Sequence, residues 1–382
     1  MAPSLNYIDL FSGIGGFAVA LKDIATPMLY CDNSPAVRAA LVDIMGGGRL
    51  PTAPIVDDVR NIKEIKGIVA NRPLDILTAG VPCCGFSRRG NREGLRDERS
   101  GLFRATCEVV RTVKPRIVLY ENVADIRSAN SGADFAEIIG TMTGMGYKVR
   151  WTVVAASDVG APHERSRWFC MCVRRGPRLP DLAVSCGRKT WSNMPALTCE
   201  FKKISAPLFM LGNSIVPFTA RTAFFRLYTG FHGGKSYRAD CLADTTMPAV
   251  KGTVPRHACV IDGQIVACKV ETKRDAPPLA IVLDPRHFTT RKRYVENGSR
   301  PKRSPLVTTP ITLVRWPTPR TGGITHSHNL SARTRMDLAT VAMYASSING
   351  VRQRATDDSM RMNVRFCEWL MGFPINYLGS FD

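Results

Sequence analysis

The chain has 382 residues, enough for one large α/β domain with an appended module or for two domains. Hydrophobic residues make up 45% and charged residues 22%, which excludes a largely disordered chain. Lys and Arg number 52 against 32 Asp and Glu, and the formal net charge of +20 indicates a polyanionic partner, most commonly nucleic acid.

Short apolar runs alternate with helix-like segments from the N-terminus to about residue 175. The predicted strands cover residues 6–11, 28–31, 74–78, 116–120, 148–154 and 167–173. Between several of them lie predicted helices, at 16–25, 34–45, 100–113 and 133–145. The alternation predicts a doubly wound, mostly parallel α/β sheet, in which ligands bind at the carboxyl ends of the strands.

The pattern changes after about residue 176. Residues 231–320 are rich in Pro, Gly and Arg and contain short β-like runs at 258–269 and 279–283. Arg286–Arg303 carries seven Lys and Arg against one acid, which fits a solvated loop as well as it fits a phosphate-contacting surface. The aromatic cluster at 364–373 is interpreted as core packing rather than as a nucleic-acid contact.

Targeting signals and metal motifs are missing from the sequence. The N-terminal residues lack a basic region followed by a long apolar core, and no run of about 18 apolar residues occurs, so we expect neither a signal peptide nor a membrane span. The 12 cysteines lack the paired spacing of zinc ligands. These features predict an intracellular protein, in the cytoplasm or in a host nucleus, with reduced thiols and no metal.

A strand, a glycine-rich turn and a helix are predicted at Asp9–Phe17, DLFSGIGGF. Glycines let the backbone approach a ligand closely, and a helix N-terminus stabilises negative charge. Asp32 ends the next strand, where an acid can accept hydrogen bonds from ribose, and Asp58 could bind an exocyclic amine. The pattern Gly13-x-Gly-x-x-Ala18 also fits a nicotinamide or flavin fingerprint, so these residues leave a dinucleotide oxidoreductase open.

A thiol and a carboxylate follow two later strands. Cys83, in VPCCGFS, lies in a loop bounded by Pro and Gly, and Arg88, Arg89 and Arg92 would favour its thiolate. Glu121, the first residue of ENV, lies at the end of the apolar strand predicted at 116–120. Each residue alone fits a structural role, a buried cysteine or an ion-pair member. Together, beside a nucleoside pocket, they indicate nucleophilic catalysis.

Five sequence blocks together resemble the DNA cytosine-5 methyltransferases. They are DLFSGIGGF (9–17), VPCCGFS (81–87), ENV (121–123), the Arg-x-Arg of HERSR (163–167) and LGNSIVP (211–217), in the order of that family. Agreement across all five is much more specific than any one block. The resemblance implies the Rossmann-like class I fold of S-adenosylmethionine-dependent methyltransferases. It also implies methyl transfer to C5 of a flipped cytosine in duplex DNA through a covalent cysteine–C6 adduct, as in restriction–modification systems.

The resemblance also implies roles for single residues. Cys83 matches the nucleophile, Glu121 the acid that engages cytosine N3, and Arg165 and Arg167 the arginines that order the active site and contact the base. The implied S-adenosylmethionine site consists of Phe11, Gly13, Ile14, Gly15, Gly16, Asp32, Asn33, Asp58, Val59, Pro82, Leu102, Asn213 and Ile215. The expected DNA contacts are Ser87, Arg89, Arg291, Lys292, Arg293 and Arg315.

The layout departs from the family pattern. Cys84 and His163 each stand where the family often has Gln. Only 43 positions separate Trp168 from Leu211, too few for a typical target-recognition domain. We therefore predict a catalytic domain over 1–230, completed by the 211–217 block, and an irregular, β-rich recognition region over 231–382. Segments of that region resemble cytosine methyltransferases of phages and large DNA viruses.

Three other functions agree less well with the sequence. A tRNA methyltransferase of the same family needs only a small recognition region, and the long basic C-terminal part argues against it. An inactive DNA-binding relative conflicts with the intact Cys83, Glu121, Arg165 and Arg167. An oxidoreductase leaves VPCCGFS and ENV unexplained. The leading prediction is a monomeric DNA cytosine-5 methyltransferase with duplex DNA as its partner.

Overall fold

The computed structural model describes most of the N-terminal half and scattered segments of the remainder. The described residues are 5–70, 72–82, 101–176, 179–182, 191, 194–196, 198–199, 205–232, 241–247, 254–261, 264–268, 281–283, 311–313, 345–348, 351–352 and 361–379. They fall into two compact units. The first lies within Met1–Val159, Ser166–Lys189 and Ile215–Lys273, and the second within Gly160–Arg165, Thr190–Ser214 and Arg274–Asp382.

A ten-stranded sheet, counted over the described residues, organises the first unit. Its strands are β1 (Leu5–Leu10), β2 (Ala25–Cys31), β3 (Ile55–Val56), β4 (Ile76–Gly80), β5 (Ile117–Val123), β6 (Tyr147–Ala155), β7 (Ser166–Arg174), β9 (Cys241–Met247), β10 (Ala258–Ile261) and β11 (Gln264–Cys268). Strand β8 (Thr198–Cys199) belongs to the second unit. The helices of the first unit are α1 (Gly16–Leu21), α2 (Pro35–Gly46), α3 (Ile62–Val69), α4 (Gly101–Val113), α5 (Ala133–Gly144) and α7 (Pro217–His232).

The sheet is doubly wound, and strands β1–β6 run in the same direction, as predicted, whereas every neighbour pairing from β5 onward to β9 is antiparallel. Its strand order is β3-β2-β1-β4-β5-β7-β6-β10-β11-β9. The first five strands in this order are parallel, whereas β7 runs antiparallel to both β5 and β6. Strand β6 is therefore parallel to β5, so the carboxyl ends of β1, β2, β3, β4, β5 and β6 share one edge. That edge is where a doubly wound sheet places its ligands.

Helices cover both faces of the central sheet, so its strands are largely buried. Strand β6 shows this directly. The ring of Trp151 meets Phe135 of α5 edge to face, with centroids 5.0 Å apart. The neighbouring Arg150 points to the other face, where its guanidinium donates to the Gly230 carbonyl of α7. Successive residues of a strand point to opposite faces, so α5 and α7 sandwich β6.

The second unit contains α6 (Ser205–Asn213), α8 (Val364–Leu370) and short strands. Strand β8 pairs antiparallel with β16 (Arg361–Met362). A separate sheet has the order β13-β12-β14-β15, formed by β12 (Ile281–Leu283), β13 (Ile311–Leu313), β14 (Ala345–Ile348) and β15 (Val351–Arg352).

The aromatic cluster around α8 forms the core of the second unit. Phe366, Trp369, Phe373 and Tyr377 are all buried, which agrees with the interpretation as core packing. The rings of Phe366 and Trp369 stack with centroids 5.8 Å apart. Within this described part of the chain, as within the first unit, no helix has the length and apolar character needed to cross a bilayer.

Candidate active site

The turn between β1 and α1 has an unusual backbone conformation. Phe11, Gly13 and Gly15 have φ values of 56°, 53° and 79°, all in the left-handed region. Glycine adopts this region without the steric cost that a side chain incurs, which explains the glycines at two of the three positions. A Cβ atom added to Gly13 would meet nothing within 4 Å, so open space lies beside this turn.

Buried polar groups hold the turn in place. The Ser12 hydroxyl donates to the Asp9 carbonyl at 2.8 Å and accepts the Cys31 N–H at 3.0 Å, which ties the turn to β2. Thr78 on β4 donates its hydroxyl to Asp9 Oδ1 at 2.6 Å. Asp9 is fully buried, its Oδ2 has no hydrogen-bond partner, and burial raises its pKa to about 7.

The predicted ribose and adenine residues lie at the ends of the next two strands. Asp32 follows β2 and is half-buried; its carboxylate accepts the N–H groups of Gly13 and Ser34, each at 3.0 Å. The carboxylate is thereby fixed beside the glycine turn. Asp58 follows β3 with a partly exposed side chain, whereas Val59 is buried in the apolar core. Asn33 is exposed.

Helix α1 packs so closely on the start of α7 that a glycine is required at the contact. A Cβ atom on Gly16 would lie 2.5 Å from Cγ1 of Ile215, well inside van der Waals contact. Ile14 is buried in the turn just before this contact. Arg221 of α7 strengthens the same contact by donating to Asp23 Oδ2 at 3.0 Å. Gly16 and Ile215, both predicted cofactor residues, thus meet each other directly.

Glu121 lies at the carboxyl end of β5 and is paired with an arginine. Arg167, at the start of the neighbouring β7, places its Nε 3.0 Å from Glu121 Oε1. A Cβ atom on Gly80 would lie 3.6 Å from Glu121 Oε2 and 3.9 Å from the Phe11 carbonyl oxygen. The carboxylate and the glycine turn therefore lie on either side of Gly80, at adjacent strand ends.

The loop after β4 is anchored beside Glu121. Asn122 donates its side-chain N–H to the Val81 carbonyl at 3.1 Å, and its own Oδ1 accepts the Val123 N–H at 2.8 Å. Pro82, the next residue, is half-buried. Leu102, near the start of α4, is half-buried against the apolar core. These contacts fix the backbone that leads directly into Cys83.

Arg165 is held inside the second unit. Its Nη1 donates to the Gly212 carbonyl at 3.1 Å and its Nη2 to the Ser214 carbonyl at 2.6 Å, so it binds the C-terminal end of α6. Asn213, between these two residues, is exposed. His163 is fully buried, with Nε2 3.1 Å from the Leu370 carbonyl and Nδ1 3.4 Å from the Arg165 N–H.

These bonds define the role of the histidine. Nε2 donates to Leu370 and Nδ1 accepts from Arg165, the pattern of a neutral imidazole with one donor and one acceptor. His163 therefore links helix α8 to the Arg-x-Arg block through the backbone. The interpretation of His163 as a structural residue agrees with this geometry.

A comparison with protein families identifies the chain. The model described as C-5 cytosine-specific DNA methylase matches residues 5–207, more than half of the sequence. The chain belongs to this family. The resemblance predicted from the five sequence blocks is confirmed, and the methylase is an enzyme of the DNA methyltransferase class.

Individual relatives differ in how much of the methylase they match. The chain is similar to the Type II methyltransferase M.CviJI of Paramecium bursaria Chlorella virus IL3A. The two are 27% identical over 389 residues, which cover 98% of each chain. It is also similar to the Type II methyltransferase M.HhaI of Haemophilus parahaemolyticus, 35% identical over 170 residues, 44% of this chain and 49% of that one. Among solved structures, the S. pombe Dnmt2 methyltransferase is 23% identical, covering 46% of this chain and 52% of that chain with a TM-score of 0.36.

The two curated relatives match different shares of the methylase. The chain spans about half the length of the bacterial relative and nearly the whole length of the viral one. The expected likeness to large-virus enzymes is confirmed by that viral relative.

Several predicted site residues of the methylase lie outside the described residues. They are the nucleophile Cys83, its neighbour Cys84, and the DNA contacts Ser87, Arg89, Arg291, Lys292, Arg293 and Arg315. Their roles stay predictions. Part of the predicted recognition region is described, and its strands β9, β10 and β11 extend the sheet of the first unit. The recognition role of 231–382 stays a prediction.

Sequence reasoning did not assign two residues that support the methylase site. Asp9 and Thr78 form a buried pair beneath the glycine turn. The detectable signal for Asp9 was an acid inside an otherwise apolar strand, LNYIDL, because such an acid is rarely buried without a purpose. Thr78 gave no such signal, since threonine is common in strands.

Proposed function

We propose that this methylase transfers a methyl group from S-adenosylmethionine to C5 of a flipped cytosine in duplex DNA, with Cys83 as the covalent nucleophile. The observation that carries the proposal is the position of Glu121. Its carboxylate is paired with Arg167 and lies across Gly80 from the glycine turn, next to the strand that leads into Cys83. An acid, a thiol and a nucleoside site thus follow adjacent strands.

The residues of the turn fit S-adenosylmethionine. Open space lies beside Gly13, and the Asp32 carboxylate is fixed at the end of β2, where ribose hydroxyls would reach it. Asp58 offers a partly exposed carboxylate at the end of β3 for the adenine amine. When bound, S-adenosylmethionine supplies a methyl group that is electrophilic because it is attached to a sulfonium.

The protein's task is to activate cytosine, whose C5 is a poor nucleophile. The Cys83 thiolate forms a bond to C6, and the electron pair of the C5–C6 double bond moves toward C5 and N3. Glu121, in its protonated form, donates its proton to N3 and so stabilises the negative charge that develops there. After methylation, a water molecule takes the C5 proton, Glu121 recovers the proton from N3, the double bond re-forms, and the thiolate leaves C6.

Each of two arginines fixes groups within its own unit. Arg167 orients the Glu121 carboxylate through its ion pair, and Arg165 binds two carbonyls at the end of α6, next to the exposed Asn213. The target cytosine is inaccessible inside a stacked duplex, so base flipping is part of the proposal. Residues 231–382 are proposed as the region that selects the DNA sequence, in the setting of restriction–modification.

The first test is methyl transfer from labelled S-adenosylmethionine to unmethylated duplex DNA, with 5-methylcytosine measured by mass spectrometry after digestion. We expect Cys83→Ser to lower the rate by at least about 10³-fold, and Glu121→Gln by roughly 10²- to 10⁴-fold. Cys268→Ser, which removes a half-buried thiol from β11, serves as the matched control and should retain the rate.

A duplex with 5-fluorocytosine tests the covalent step separately. Fluorine cannot leave C5 as the proton does, so the adduct should persist for the unmutated protein and be absent for Cys83→Ser. Methylation of tRNA in place of DNA would select the other branch of the family. Binding of DNA with no methylation of either nucleic acid would support an inactive relative.

A further inference from the structure

Four basic side chains gather on the first unit, at positions that the sequence motifs do not include. Arg127 ends the 3₁₀ turn Ala124–Arg127 after β5, Arg226 lies on α7, and Arg256 and His257 precede β10. Arg127 Nη1 donates to the Val254 carbonyl at 2.6 Å. This bond connects the turn after β5 with the segment that leads into β10.

Strand register places this basic cluster at the same edge of the sheet as Glu121. Glu121 is opposite Phe169 of β7, and Phe169 is opposite Thr152 of β6. Because Trp151 pairs with Ala258, the next position places Thr152 beside His257, and Thr152 Oγ1 lies 2.7 Å from His257 Nδ1.

The distance along this row follows from sheet geometry. Neighbouring strands are about 4.8 Å apart, so three strand steps separate the backbones of Glu121 and His257 by about 14 Å. Residues directly opposite each other point to one face, so both side chains lie on the face that α7 covers. The cluster therefore flanks the proposed active site at one strand edge and on one face.

Positive charge in the cluster exceeds the negative charge near it. Facing His257 are Arg226 of α7, Arg256 of its own segment, Arg127, and one acid, Asp158. The Asp158 carboxylate also accepts the Ala155 N–H at 2.9 Å. Burial, and after it these arginines, lowers the pKa of His257 to about 4, so the imidazole is neutral at pH 7.

The cluster also has unused hydrogen-bonding capacity and an open side. Nη1 of Arg226 is buried and has no hydrogen-bond partner, an unfavourable state for a charged donor. Arg256 is exposed, and Arg127 is half-buried with Asp125 as its neighbouring acid. An anion placed among the three guanidinium groups would relieve their mutual repulsion and supply acceptors.

We propose that Arg127, Arg226 and Arg256 bind a backbone phosphate of duplex DNA on the catalytic unit itself, one side of the flipped cytosine. The proposal rests on the proposed function, which brings a duplex to this edge. At about 3.4 Å of helix axis per nucleotide, 14 Å corresponds to roughly four nucleotides from the target base. Arg256, exposed at the rim, makes the outer contact, and Arg226 supplies the buried donor.

The main test compares two arginine variants in DNA binding by fluorescence anisotropy at several salt concentrations. Arg256→Gln should weaken the affinity for an unmethylated duplex by roughly 3- to 10-fold and reduce the slope of log K against log salt by about 1. Arg175→Gln is the matched control, because Arg175 is exposed at the opposite end of β7. It should leave affinity and slope unchanged, and equal values for both variants would overturn the proposal.

A second test follows the imidazole that the cluster surrounds. A bound phosphate favours the imidazolium, so adding duplex DNA should raise the pKa of His257. Histidine-selective NMR measures it, with a His257→Gln spectrum to assign the signal among the six histidines. An unchanged His257 titration in the DNA complex would contradict phosphate binding at this position.

Activity separates this proposal from the proposed function. Arg256→Gln should raise the KM for duplex DNA roughly as much as it weakens binding, whereas Arg175→Gln should leave both KM and the turnover rate unchanged. If the protein methylates cytosine while Arg256→Gln and Arg175→Gln bind DNA equally, only the phosphate site is wrong. If no cytosine is methylated but Arg256→Gln still weakens duplex binding, the phosphate site stands and the proposed function fails. Tighter, Arg256-dependent binding of an RNA hairpin would overturn the assignment to duplex DNA.

Discussion

Two carboxylates, near strand ends on either side of β4, have different surroundings. Glu121 is paired with the guanidinium of Arg167. Asp9 is fully buried beneath the glycine turn, where only the hydroxyl of Thr78 donates to its carboxylate. Burial favours the neutral acid of Asp9 and raises its pKa. In the proposed function, Asp9 supports the cofactor turn and Glu121 engages the base.

Asp9 makes stability depend on pH in a defined direction. Burial raises its pKa to about 7, above the ordinary value of 3.8, so between these limits the folded state binds more protons than the unfolded state. The free energy of unfolding should therefore be highest below about pH 4 for this group and fall as pH rises through about 7.

Asparagine resembles the neutral form of aspartic acid. We therefore expect Asp9→Asn to remove the decrease in the free energy of unfolding that Asp9 causes as pH rises. Urea unfolding at pH 5 and pH 8 should show the unmutated protein losing a few kcal/mol more than Asp9→Asn across the interval. Asp57→Asn, at an exposed acid, controls for the change in net charge. Equal losses in the Asp9 variant and the unmutated protein would contradict the assignment.

At the scale of elements, the apolar runs located six strands because continuous burial leaves a clear signal. Helix α7 was not predicted, since its sequence PFTARTAFFRLYTGFH mixes Arg with aromatic residues around its whole circumference. The structure explains this mixture: α7 packs against α1, β6 and β7 together. The position of β7 between β5 and β6 could not be predicted from the sequence either, because strand order depends on contacts between residues far apart in the chain.

The contact between α1 and α7 predicts a costly small substitution. Gly16→Ala would place a methyl group 2.5 Å from Cγ1 of Ile215, so α1 must shift or the isoleucine must change rotamer. We expect a loss of about 1–3 kcal/mol in the free energy of unfolding, measured with urea. The affinity for S-adenosylmethionine, measured by calorimetry, should fall too, because the glycine turn moves with α1.

A double-mutant cycle isolates this contact. Ile215→Ala removes Cγ1, so Gly16→Ala should be less destabilising in that background than in the unmutated protein. Strictly additive losses would show that the contact between Gly16 and Ile215 does not set the requirement for glycine.

At the scale of the whole molecule, the sequence order of the five blocks does not reveal how the chain divides. Residues 160–165 and 190–214 join the C-terminal part in the second unit, while strands β9–β11 return to the first. The motifs predicted the family because it is marked by a few residue types at strand ends. The division between units depends on pairings such as β8 with β16, for which the sequence carries no local signal.

This division predicts that removing residues 361–382 abolishes activity. Helix α8 supplies Phe366 and Trp369 to the core of the second unit and the Leu370 carbonyl that holds His163. We expect loss of methyl transfer, with faster proteolysis of residues 190–214 and continued protection of β1–β5. A chain that lacks only residues 380–382 is the control and should remain active. Full activity of the shorter chain would refute this dependence.

The pairing of β8 with β16 also affects how the protein is made on the ribosome. Strand β8 (198–199) can pair only after β16 has been synthesised, roughly 160 residues later. At ordinary translation rates this delay is on the order of ten to thirty seconds. Throughout that interval the apolar side chains of α6 lack the helix that covers them, while the parallel strands of the first unit can already assemble. We therefore expect the nascent chain to expose the apolar side chains of α6 during the second half of its synthesis.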